Sequence, residues 1–165
     1  MRRDRIVIGP ATPGFVLRAG GVLLVAAAAL VLQPVTFWQV SFVLAAIAGA
    51  VFPRTGLAWA ALLVAPLALL MQDISPWRTA IAIVVVHLGH VLAGLNLVIP
   101  GRSRVALAAL RPTALRWLAV QLASQGVAAA VLTIPRADGS GIAWVAPVGA
   151  LAVALLAVVL LRRTE

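Results

Sequence analysis

Long apolar runs, parted by short segments that carry arginine, recur through this 165-residue chain. About twenty apolar residues are what one helix needs to cross a bilayer core roughly 30 Å thick. Six such runs can be drawn, at about residues 15–32, 36–52, 57–71, 79–99, 114–134 and 142–161. Only 10% of the residues are charged, against roughly 25% in a soluble domain. The chain therefore lacks the polar groups to cover a water-facing surface. The expectation is an all-α membrane protein: a single integral membrane domain of six transmembrane helices joined by short loops.

The run boundaries carry turn and interface signals. Pro34 closes the first run, and Pro53-Arg54-Thr55-Gly56 reads as a tight turn between the second and third. Trp38, Trp59, Trp77, Trp117 and Trp144 fall near run ends, where indole suits the membrane–water interface. The basic N-terminus and the apolar core after it resemble a signal peptide. Gln33-Pro34-Val35 follows that core without a small-x-small cleavage site, so the segment is expected to stay as the first span. The second and third runs would cover only about 23–26 Å as helices. The alternative is a re-entrant hairpin, which leaves four spans. That version places Arg54 at membrane depth, at a cost of at least about 2.5–3.5 kcal/mol, with no acid in either run to pair with it. Two full spans are preferred. Residues 102–111 are expected as a short interfacial helix closed by Pro112, or as a plain basic loop.

Charge sets the orientation. All 13 basic residues are arginine and the formal net charge is +9. Six spans place the N-terminal arginines, Arg18, Arg54, Arg102, Arg104, Arg111, Arg116, Arg162 and Arg163 on one side. Arg78 and Arg136 fall on the other, each with an acid nearby, Asp73 and Asp138. The positive-inside rule then puts both termini in the cytoplasm. Because the topology accounts for the basic balance, nucleic acid is not expected as a partner. The expected partners are the lipid bilayer and other membrane proteins or a second copy of the chain. An Arg-only, Ala- and Val-rich composition reads as a GC-rich bacterial genome, hence the inner (plasma) membrane. With no cysteine, disulfides, thiolate metal sites and covalent c-type haem are excluded.

The fourth run carries His87 and His90 near its middle, and the fifth carries Gln121, Ser124 and Gln125 at similar depth. Spacings of three and four put each set on one helix face. The two runs are consecutive, so these residues are expected to meet in a buried seam near mid-membrane. Gly89 with Ala93, and His90 with Gly94, offer small residues for close approach, and Asn96 extends the polar face. Such groups commonly tie helices together, at about 0.6 kcal/mol each. Intramembrane ionisable residues are also candidates for function. A proton step at a histidine stays open, because imidazole changes charge near neutral pH. Two histidines without a carboxylate or thiolate make an incomplete metal shell, and residues three apart on one helix cannot clamp one haem iron. No Ser/His/Asp or HExxH arrangement lies in the apolar runs. No cofactor, metal or catalytic residue is therefore expected. The leading expectation is a non-catalytic subunit, anchor or assembly partner of a larger membrane complex. The alternatives are a small transporter or channel with a pathway at His87, His90, Gln121 and Gln125, and a haem- or quinone-binding protein.

Overall fold

Without water to serve the backbone, a spanning segment must satisfy its own N–H and C=O groups, and the helix does so locally. The apolar runs fold accordingly. The computed structural model describes residues 9–73 and 75–133. Its elements are β1 (Ala11–Pro13), α1 (Gly14–Leu32), α2 (Thr36–Val51), α3 (Leu57–Ala61), α4 (Val64–Leu70), α5 (Pro76–Val98), β2 (Arg104–Ala106) and α6 (Leu107–Thr133). Helices α1, α5 and α6 are long and apolar enough to cross a membrane. The last expected span, 142–161, lies outside the described residues, as do Arg162 and Arg163.

α1 and α2 pack antiparallel, and α3, α4 and α5 complete the bundle. Its core is made of Val25, Ala28, Ala29 and Leu32 of α1, Phe42 and Ala46 of α2, Ala61, Leu62, Val64, Ala65 and Ala68 along α3–α4, and Ala82 and Val85 of α5. Alanine dominates because helices in lipid associate by close backbone packing, which short side chains allow. The tightest approach is at Gly49, where a Cβ would run into the backbone of Ala58. Between them the chain turns through a single 3₁₀ turn, Pro53–Thr55. Gly56 follows at φ 76°, a left-handed conformation that glycine adopts without steric cost.

Three expectations need correction. The third run is not one helix. Pro66 has no N–H for the Leu62 carbonyl, and its ring crowds that oxygen. Leu62 instead accepts from the Ala65 N–H at 3.3 Å, while the Leu62 and Leu63 N–H groups bond to Trp59 and Ala60 at 3.0 and 3.1 Å. These tighter turns split the run into α3 and α4. The fourth run starts earlier than residue 79: Pro76 takes the first helical position, where a missing N–H costs nothing. Finally, residues 102–111 form neither a separate helix nor a plain loop. Arg104–Ala106 pairs antiparallel with Ala11–Pro13, and α6 starts at Leu107 and continues through Pro112. Pro112 is early enough in α6 that the helix gives up only its bond to Ala108.

The small sheet accommodates Pro13. Leu107 N–H donates to Pro10 O at 2.9 Å, and Gly14 N–H donates to Ser103 O at 2.8 Å. Pairs alternate along an antiparallel ladder, so Pro13, opposite Arg104, sits where no donor is called for. The same loop caps α1, since Phe15 N–H donates to Gly101 O at 2.9 Å. Two of the N–H groups that a helix start leaves unpaired are thus served by backbone carbonyls. The sheet, the Pro53–Thr55 turn and the end of α5 gather at one end of the bundle. A groove there is lined by Val51 to Thr55 together with Ile99 and Pro100. The α2–α4 hairpin therefore runs the height of the bundle, and Arg54 lies exposed at its end.

Candidate functional site

His87 is the middle residue of α5, and Gln121 lies on α6. His87 Nδ1 is 3.2 Å from Gln121 Oε1, a hydrogen bond in which the ring N–H donates to the amide oxygen. Farther along the same antiparallel pair, Gln125 Nε2 donates to the Ala80 carbonyl at 2.9 Å. Ser124 lines a groove of about 460 Å³ between these helices, opposite Thr79 and Ile83. His90 is elsewhere. Its ring stands edge-on to Trp59 of α3, with centroids 4.3 Å apart and planes at 80°. Three residues turn a helix by about 300°, so the two imidazoles diverge by about 60° and face different neighbours. Asn96, only 6% exposed, also leaves the seam. It faces Arg18, Gly21 and Ala50 across a small cavity between α1, α2 and α5.

The seam is left with donors to spare. Gln121 is 6% exposed, and among the described residues its Nε2 has no acceptor; neither does the buried Nε1 of Trp117, one turn earlier on α6. An unmet buried donor costs about 1–3 kcal/mol. Among the described residues the one acid is Asp73, beside Gln72 and Arg78 at the opposite end from the sheet. No carboxylate orients either histidine there. The described residues hold no group of three or more His, Asp or Glu that could bind a metal ion. What the seam offers chemically is hydrogen-bond donation to an acceptor that enters between α5 and α6.

Two other polar groups lie apart from the expected seam. Gln33, 3% exposed, donates to the Val64 carbonyl at 3.1 Å. Gln39 Nε2 donates to the Gln33 carbonyl at 2.7 Å, and Gln72 Nε2 reaches the Leu32 carbonyl. Together they tie the end of α1 to α2 and α4. At the other end Arg18 Nη1 donates to Ala50 O at 3.0 Å. Gln72 and Arg18 thus serve carbonyls that helix C-termini leave open. The available signal was position: each lies at or near the end of an apolar run, where helix ends need partners.

Compared with known protein families, curated proteins and solved structures, the chain matches none.

Proposed function

We propose that this protein is a multi-pass inner-membrane component with both termini in the cytoplasm, acting as a non-catalytic subunit or assembly partner. The observation that carries this reading is the condition of α6. Among the described residues it is the least apolar of the three long helices, yet only 6% of its apolar window is buried, against 22% for α1 and 28% for α5. Lipid favours the opposite order, with the most apolar helix outermost. A helix bearing Gln121, Ser124 and Gln125 calls for a neighbour beyond the described residues. The exposed Leu118, Leu122 and Val127 supply an apolar surface for another membrane helix. The six-span topology is supported by the height of the α2–α4 hairpin, which carries Arg54 to the same end as Pro100.

Photoreactive residues at Leu122 and Val127 test this in native membranes. The expected product is an adduct larger than the chain, containing a different membrane protein or a second copy. Crosslinks only within the chain or to lipid would overturn the reading. The spare donors favour one second reading, a ligand site for a carbonyl compound of the quinone class. Gln121 Nε2 and Trp117 Nε1 would donate to its oxygens. Quinone that co-purifies with the protein and is lost in Gln121→Leu supports it, whereas equal retention counts against it.

A further inference from the structure

Arg18 and Arg54 come together at the sheet end of the bundle, and among the described residues neither has a carboxylate there. Arg18 lies one turn inside α1, half-buried, and its Nη1 is used by Ala50 O. Its Nε is buried and, among the described residues, without an acceptor. Behind it the cavity shared with Asn96 has a volume of about 20 Å³, room for roughly one water molecule. In front of it a groove of about 430 Å³ opens to the surface. Arg18, Arg54, Thr55 and Asn96 form its polar wall, and Phe52 and Val98 its rim. Phe52 and Val98 are 62% and 79% exposed.

We infer that this groove binds the phosphate of an anionic phospholipid. The local charge fits one such group. Two guanidiniums meet the ends of α2 and α5 and the start of α1. Each helix end carries about half a unit, negative at a C-terminus and positive at an N-terminus. The sum leaves an excess of roughly one to two positive units, which a phosphodiester can neutralise. Guanidinium suits phosphate because its N–H groups bind oxygens in pairs. The rim decides between a lipid and a free ion. Phe52 and Val98 place apolar surface beside the cations, where acyl chains would lie, and inorganic phosphate has no use for it. Basic pockets at the cytoplasmic side of helix bundles bind acidic headgroups for the same reason.

The test uses the full-length protein in mild detergent, stripped of lipid, with melting temperature read against added lipid. Phosphatidylglycerol is expected to raise the melting temperature in a saturable way, and phosphatidylcholine is not. Arg54→Gln, which alters an exposed side chain, should weaken the apparent lipid affinity about fivefold. Arg18→Gln should do at least as much. Arg104→Gln, on the sheet and outside the groove, should match the parent protein. Equal shifts with both lipids, or an unchanged affinity in Arg54→Gln, would overturn the proposal. So would glycerol phosphate competing as well as the lipid does, which would reassign the groove to a soluble phosphate.

Discussion

Glycine, present in four of the helices of an alanine-rich bundle, has different consequences from one position to the next. At Gly49 a Cβ would enter the backbone of Ala58, which cannot move without opening the α2–α3 hairpin. At Gly89 the obstacle is the tip of Leu62, a side chain that can rotate away. At Gly94 nothing lies within 4 Å. Overpacking a close contact costs about 1–3 kcal/mol, while replacing an unhindered helical glycine by alanine gains up to about 1 kcal/mol. Gly49→Ala should therefore lower stability by about 2–3 kcal/mol, Gly89→Ala by less, and Gly94→Ala should be neutral or stabilising. Reversible unfolding in detergent micelles measures all three. A Gly49→Ala protein as stable as its parent would show that α2 and α3 do not touch as described.

The elements divide into those whose cause is local and those whose cause lies elsewhere in the chain. Helix identity for 15–32, 36–52 and 79–99 was legible because apolar runs of that length leave the backbone one satisfied state. The split of the third run was legible in principle, since Pro66 stands inside it. Where the break falls is set by the Leu62 carbonyl, which Pro66 leaves without its helical donor. The meeting of His87 with Gln121 follows from helical period and a short connection. The departure of His90 towards Trp59 does not, because α3 takes a position beside α5 that no spacing in the fourth run encodes. Least legible was the sheet: Ala-Thr-Pro has little strand character, and it pairs with a segment about ninety residues away. This pairing can be tested directly. Ala11 and Ala106 face each other at a position without ladder bonds, where Cα atoms lie about 4.5 Å apart, within the disulfide range of about 4.4–6.8 Å. In a chain with no native cysteine, Ala11→Cys with Ala106→Cys should oxidise to an intramolecular disulfide in high yield. Ala11→Cys with Ala108→Cys, at the second residue of α6, should not. Equal yields for the two pairs would mean that the strands do not hold this register.

At the scale of the molecule, the two ends of the bundle differ in charge as well as in structure. Arg18, Arg54, Arg102 and Arg104 lie at the sheet end or in its loops, and Arg111 and Arg116 follow in the first half of α6. Among the described residues the other end carries Arg78, with Asp73 beside it. Holding a cation-rich end outside would oppose the bias that orients inner-membrane proteins. It would also draw the groove at Arg18 and Arg54 away from the leaflet rich in anionic headgroups. The expected arrangement has Gly9 and Thr55 in the cytoplasm and Asp73 outside. All three are exposed, and single cysteines can be placed there one at a time in the cysteine-free chain. A membrane-impermeant maleimide applied to intact cells should label Asp73→Cys at once. Gly9→Cys and Thr55→Cys should react only after the membrane is opened. Labelling of Thr55→Cys from outside would invert the molecule. A Thr55→Cys that resists reagent from both sides would return the α2–α4 hairpin to a re-entrant position. With Thr55 reached only from within, α2 must cross completely, although its 16 residues span about 24 Å. The bilayer would then have to thin locally around the α2–α4 hairpin or be replaced there by a protein neighbour.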